Sequence, residues 1–151
     1  MNTFSPSGGS IDALFSCAGV ADGTIDCLAS DHAPHSQEEK ELEFALAPFG
    51  IISLECALGL YVKALVATGL MDWPALIDRM TVRPAGVIGR PYGTLGEGAI
   101  ADVTVIDPDK AWTVDIGAFE SLSRNCPYDG WELTARAELT IVDGEVRFGG
   151  D

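Results

Sequence analysis

The sequence has 151 residues, 47% of them hydrophobic, and its 9 Lys and Arg stand against 23 Asp and Glu, a formal net charge of −14 at pH 7. That length supports one ordinary domain with a core but falls short of the roughly 250 residues of a closed β/α barrel. So acidic a surface repels phosphate backbones and anionic membranes, which argues against nucleic-acid and membrane binding.

In chain order, Met1–Gly9 is small, polar and glycine-rich and reads as a disordered or non-native start. Ser10–Val20 places Ile11, Leu14, Phe15 and Ala18 on one face of a short helix ending at Gly19. Asp22-Gly23 signals a turn, and the β-type run Thr24–Ala29 leads straight into Ser30–His35 (SDHAPH). Ser36 and Glu39 have capping-box spacing, so a helix is expected over Gln37–Phe44. Ala47–Gly50 breaks the chain, and a longer helix is expected from Ile51 to Thr68, terminated by Gly69. Glu55, Lys63 and two glycines interrupt the apolar run Ile51–Leu70, which marks a core helix rather than a membrane span. Asp72 and Pro74 open a helix over Trp73–Met80, and a further helical turn falls within Thr81–Arg90.

Beyond that point glycines and prolines become frequent. Short β-type runs occupy Ala101–Ile106, Ala111–Val114 and Glu138–Val142, and Asp143-Gly144 is a strong hairpin signal before Glu145–Phe148. The chain therefore reads as α/β: a start over 1–9, a helical segment with one leading strand over 10–90, and a β module over 91–151. Cys17, Cys27, Cys56 and Cys126 form no Cys-x-x-Cys pair and read as reduced, mostly buried thiols. With no basic start followed by an apolar run, a cytoplasmic protein is expected.

The chemistry concentrates in Ser30–His35. A carboxylate and two imidazoles follow an apolar strand directly, and Pro34 stiffens the loop between them. In barrel enzymes the C-terminal ends of strands face the active site. A carboxylate there can bind metal or shuttle a proton, and an imidazole can bind an anionic group. Spacing alone leaves open a solvated loop in which Asp31 caps the following backbone. His32 reads as a hydrogen-bonded structural imidazole. Glu55 reads as a buried, hydrogen-bonded structural carboxylate or as one on the wet side of its helix, and Arg83, Arg90 and Arg124 as surface ion-pair residues. Trp73, Trp112 and Trp131 read as packing residues, and Asn125-Cys126-Pro127 as a turn rather than a site.

The run SDHAPH, followed by Glu38–Phe44 (EEKELEF) and Ala47–Gly50 (APFG), resembles the dihydroorotase branch of the amidohydrolase superfamily. Thr81–Ala85 (TVRPA), Gly96–Pro108 (GEGAIADVTVIDP) and Ser123–Leu133 (SRNCPYDGWEL) extend the likeness, which runs in order from Asp22 to Phe148. Hydantoinases and allantoinases keep the Asp-His pair but usually not the closing His, so His35 favours dihydroorotase. The resemblance implies the last strand/helix units of a metal-dependent hydrolase TIM barrel, followed by a small β-sandwich-type module. It also implies reversible ring closure of N-carbamoyl-L-aspartate to dihydroorotate, in pyrimidine biosynthesis, at a binuclear zinc centre.

By that resemblance Asp31 is both metal ligand and acid/base residue, moving a proton from the bridging hydroxide to the leaving amide nitrogen. His35 helps hold the substrate carboxylate, and the backbone of Phe49 and Gly50 contacts the ring. The family's His-x-His pair has no match, because both histidines lie inside SDHAPH, and its substrate-contacting asparagine falls at Phe4-Ser5. The expectation is a C-terminal portion whose barrel cannot close and which has little activity alone. Two alternatives stay open: a non-catalytic dihydroorotase-like subunit partnering aspartate carbamoyltransferase, and a cyclic amidohydrolase of hydantoinase or allantoinase type. A homo-oligomer is a further expected assembly.

Overall fold

The computed structural model describes residues 19–149. The expected start Met1–Gly9, most of the helix expected over Ser10–Val20, Phe4-Ser5 and Cys17 lie outside these residues. The named elements run α1 (Gln37–Lys40), α2 (Ala57–Tyr61), α3 (Trp73–Met80), α4 (Val82–Val87), β1 (Val103–Thr113), β2 (Glu132–Val142) and β3 (Glu145–Gly149). They fall into two compact units that interleave along the chain. One joins the described residues up to Leu28 with Ala64–Ala99; the other joins Ala29–Lys63 with the described residues from Ile100 onward.

In the first unit, residues 19–22 are helical and the chain turns at Gly23, whose φ of +86° is open to glycine. The helix therefore ends at Gly23 instead of Gly19. Thr24 N–H donates to Asp22 Oδ1 at 2.9 Å, closing the turn. Hydrogen bonding from the Thr24 side chain, and then from its backbone N–H, holds the Asp22 carboxyl below its usual range. Among the described residues Thr24–Ala29 joins no strand; Leu28 N–H instead donates to the Arg79 carbonyl at 3.1 Å. α3 has the bounds its sequence signals predict. Asp72 accepts from Ala75 N–H at 2.9 Å, a proline stands in the first turn, and Leu76 is fully buried. α4 follows as expected, and Arg83 pairs with Asp78 at 2.6 Å and Asp26 at 2.7 Å.

The expected helix over Ile51–Thr68 starts late. Ile51 is extended and pairs in parallel with His32, so α2 begins only at Ala57 and passes into a π-helical turn over Val62–Val66. Gly69, at φ +73°, ends it as predicted, its N–H donating to the Val66 carbonyl at 2.9 Å.

The second unit is built on an antiparallel sheet of order β1-β2-β3. The two β-type runs expected at Ala101–Ile106 and Ala111–Val114 merge, apart from Ala101, Asp102 and Val114, into one strand, β1, whose register shifts between Asp107 and Ala111. Pro108 lies in that irregular stretch, where a residue without N–H is tolerated, and Ala135 on β2 takes a φ of +70°. β2 also begins earlier than its predicted core, because Leu133 and Ala135 alternate inward between exposed neighbours. Asp143 and Gly144 both have positive φ, +53° and +78°, which is the primed two-residue turn the sequence signals.

The core of this unit gathers Ile52, Cys56, Val114, Cys126 and Leu133, flanked by Leu60, Trp112, Tyr128 and Trp131. Full burial of an aliphatic side chain contributes about 1.5–3 kcal/mol. α2 seats on β2 at Gly59, where a β-carbon would lie 3.0 Å from Leu133 Cδ1 and 3.3 Å from the Thr134 carbonyl oxygen. Tyr128 and Trp131 meet edge to face at 5.1 Å. Lys63 lies 5.4 Å from the Trp131 ring centre, and Arg136 5.0 Å from that of Trp112. No helix among the described residues is long and apolar enough to cross a membrane.

Candidate active site

The Ser30–His35 loop is held from several sides within the second unit. Ala33 N–H donates to the Ile51 carbonyl at 2.9 Å, and Ser53 Oγ donates to the Ser30 carbonyl at 3.0 Å. His32 Nδ1 faces the backbone N–H groups of Ser53 at 3.4 Å and Leu54 at 3.2 Å. Nδ1 is therefore an acceptor, and the neutral ring carries its proton on Nε2. His32 is a hydrogen-bonded imidazole that ties the loop to Ile51–Leu54.

Asp31 differs from its neighbours. Its side chain is exposed and its φ is +45°. Aspartate enters the left-handed region more readily than most L-residues, at a cost on the order of 1 kcal/mol. Sequence reasoning had no signal for this conformation, because Asp31-His32 is not a turn dipeptide.

His35 faces the protein with both ring nitrogens. Nε2 lies 2.8 Å from the Phe49 carbonyl, which fixes the proton on that nitrogen, and Nδ1 lies 3.6 Å from Glu39 Oε2. Glu39 also completes the predicted capping box: Ser36 N–H donates to its carboxylate, and its own N–H donates to Ser36 Oγ. The helix started by that box is only one turn long and stops at Lys40 rather than Phe44. None of its residues is buried, so no packed face extends it. Lys40 instead folds back, and its Nζ donates to the carbonyls of Pro48 at 2.9 Å and Gly50 at 3.1 Å.

The Phe49 ring is 92% exposed, while its carbonyl is engaged by His35. Gly50 has a φ of +119°, and a β-carbon there would lie 2.6 Å from Ala33 Cβ and 3.1 Å from His35 Nε2. The glycine is required so that the Phe49–Gly50 backbone can lie against the loop. Of the four residues singled out in the sequence, His35, Phe49 and Gly50 come into direct contact, and Asp31 stands at the exposed end of the same loop.

The residue that sequence reasoning passed over is Asn125. Read there as part of a turn, it donates from Nδ2 to the carbonyls of Ala33 at 2.9 Å and Gly50 at 3.3 Å, and Oδ1 accepts from His35 N–H at 3.4 Å. Its partners lie 75 to 92 positions away in the chain, so no local pattern reveals them. A cavity of about 310 Å³ opens beside this contact, lined by His35, Gln37, Lys40, Arg124 and Asn125. Asp31 is not among its lining residues, so the cavity alone does not define the reacting centre. Among the described residues Arg124 forms no ion pair; its guanidinium donates to the carbonyls of Ser121 and Ser123. Glu55 is an exposed structural carboxylate, accepting from the N–H groups of Glu120 at 3.0 Å and Ser121 at 3.1 Å.

Beneath the loop, burial pushes the Cys56 thiol up to about 12, with the neighbouring Cys126 adding to the shift. Burial likewise raises the Tyr61 and Tyr128 phenols. The Cys56 thiol is a packing group rather than a nucleophile at neutral pH. Among the described residues, no group of three His, Cys, Asp or Glu side chains is arranged to hold a metal ion. Zinc takes about four ligands, so these residues do not by themselves fit the zinc centre that the resemblance implies.

No family model matches the chain. Its sequence is 48% identical over 129 residues to a dihydroorotase of Citrifermentans bemidjiense and 50% identical over 128 residues to one of Pelotomaculum thermopropionicum. A dihydroorotase of Enterococcus faecalis is 45% identical over 128 residues. Each alignment covers 85% of this chain, and the chain spans about 30% of the length of these relatives. In structure it is similar to an L-hydantoinase of Arthrobacter aurescens, with a TM-score of 0.83 at 33% identity. A D-hydantoinase of Thermus sp. gives a TM-score of 0.83 at 26% identity. Both likenesses cover 90% of this chain and 31% of the hydantoinase. The expected fold class holds: the chain has the α/β fold of the matching part of an amidohydrolase TIM-barrel enzyme.

Proposed function

We propose that this chain, which belongs to the dihydroorotase family of amidohydrolase-superfamily cyclic amidases, contributes the acid/base loop to the interconversion of dihydroorotate and N-carbamoyl-L-aspartate. The observation that carries this is the identity of up to 50% with dihydroorotases, well above the 33% shared with the L-hydantoinase. His35 supports the same choice, as the residue expected to separate the two groups.

In ring opening, a water oxygen bonds to the ring carbonyl carbon, the carbon–nitrogen bond breaks, and the nitrogen gains a proton. Asp31 is the group that takes up the proton from the attacking water and delivers it to the leaving nitrogen. Its exposed carboxylate on a loop otherwise held by hydrogen bonds supports that role. Were the zinc centre implied by the resemblance assembled, the same carboxylate would be one of its ligands, and the others would have to be supplied by residues beyond those described. His35 holds the Phe49–Gly50 backbone through the Phe49 carbonyl, and with a second proton on Nδ1, the side where Glu39 stands at 3.6 Å, it donates to the substrate carboxylate.

The test is ring opening of dihydroorotate, with zinc analysis, by the chain alone and by the chain mixed with a polypeptide carrying the family's His-x-His segment. Turnover in the mixture that is lost in Asp31→Ala supports the proposal. Turnover of a hydantoin in preference to dihydroorotate would overturn it in favour of a hydantoinase.

A further inference from the structure

We propose that Asn125 is a positioning residue for the candidate active site, setting the separation between the Asp31–His35 loop and the Phe49–Gly50 segment. The parallel pairing of these two segments is short: it centres on His32 and Ile51, with Ala33 N–H donating to the Ile51 carbonyl. Beyond it, the Asn125 carboxamide takes over. The Ala33 carbonyl and the His35 N–H flank Pro34 on one edge of the loop, and the carboxamide meets both, as a backbone partner would in a parallel ladder. Its second Nδ2 bond, to the Gly50 carbonyl, brings in the opposite segment.

The group required is narrowly defined. Two carbonyls and one N–H call for two donors and one acceptor, which a carboxamide supplies and a carboxylate or a hydroxyl does not. Asn125 is itself anchored, since Ile52 N–H donates to its carbonyl at 3.2 Å and its neighbour Cys126 is buried in the core. Gly50 allows no slack, because the α-hydrogen that a β-carbon would replace faces Ala33 Cβ and His35 Nε2 directly. Without the carboxamide, the loop two residues beyond Asp31 separates from Gly50, and His35 loses its alignment with the Phe49 carbonyl. The catalytic consequence rests on the function proposed above; the geometric one does not.

The experiment compares the full chain with Asn125→Asp and Asn125→Ala by nitrogen-15 NMR and amide hydrogen exchange. The His35 Nε2–H resonance is expected to disappear in both variants. Protection of the Ala33 amide is expected to fall roughly tenfold, the loss that accompanies one or two hydrogen bonds. The Val114 amide, bonded to the Trp131 carbonyl in the same core, serves as control and is expected to keep its protection. Retention of both loop signals in the variants would overturn the proposal, as would equal loss of protection at Val114, which makes Asn125 a residue of the fold at large. In the reconstituted mixture, Asn125→Ala is expected to lower kcat/KM for dihydroorotate about tenfold with zinc content unchanged, and an unaltered kcat/KM would count against positioning. If the unsubstituted mixture turns over no dihydroorotate, the functional reading fails, while the NMR outcome still decides the geometry.

Discussion

At Gly50 two conditions act together: a φ of +119°, and a space in which a β-carbon would meet Ala33 Cβ at 2.6 Å. Neither neighbour is the free end of a flexible chain, so Gly50→Ala must move backbone. It is expected to destabilise the protein by about 1–3 kcal/mol, read as a lower urea midpoint with loss of the His35 Nε2–H signal. A midpoint and signal equal to the unsubstituted chain would contradict the close approach. The family resemblance implied backbone contact with a substrate ring at this glycine; that Ala33 and His35 of the same chain stand against it is visible only in the structure. Cys56 makes a second residue-scale prediction. Unfolded, a cysteine ionises near its ordinary value of roughly 8.5; folded, this one is pushed up to about 12. The raised value contributes stability that is full below the unfolded value and is lost as pH rises through the folded one. The Tyr61 and Tyr128 phenols, raised by burial, add loss further into the alkaline range. The urea midpoint is expected to fall steadily from about pH 9 towards pH 11, and Cys56→Ala to flatten the first part of that fall. A midpoint constant across this range would sink the idea.

Elements were legible where a local signal is strong enough to stand alone. α3 is the clearest, since Asp72 and Pro74 fix its start and Leu76 its buried side. Asp72→Ala is expected to cost about 1 kcal/mol and Asp72→Asn very little. Thermal melts compare the two, and equal losses from both would rule out the capping bond to Ala75. The hairpin at Asp143-Gly144 is legible for the same reason, because two successive positive φ angles demand residues that tolerate them. The start of α2 was not legible. Ile51-Ile52 opens an apolar stretch that suits a helix or a buried extended segment equally, and the choice is made by pairing with His32, far back in the chain. The first half of β2 was missed because its inward residues include Ala135, too small to mark an alternation. β1 looked like two runs because Asp107-Pro108 imitates a break, where the strand only shifts register. The Asn125 bonds failed for the same reason as α2, since side-chain partners from distant elements leave no trace in local spacing.

At the scale of the whole molecule, the string SDHAPH and the segments after it carried the family, whereas compact units that interleave along the chain are not visible to a reading that moves in one direction. The −14 charge was legible from the start, and its consequence can be argued in magnitude. Ion pairs among the described residues, such as Lys110–Glu138 at 2.5 Å and Arg147–Glu145 at 2.7 Å, sit at the surface, where such a pair is worth about 0–1 kcal/mol. Salt weakens them. It also weakens the repulsion among the surplus carboxylates, which acts over distances up to the Debye length, roughly 30 Å at 0.01 M and 3 Å at 1 M. At low salt that length takes in most of a small domain, so every surplus carboxylate repels many others, while each ion pair is a single local term. Repulsion therefore wins, and the melting temperature is expected to rise as sodium chloride is raised from about 0.01 M to 0.5 M. Choline chloride at equal ionic strength should give the same rise, because screening does not depend on which cation supplies it. A rise with sodium alone would mean a specific cation site, and a fall with either salt would mean that the surface pairs outweigh the net charge.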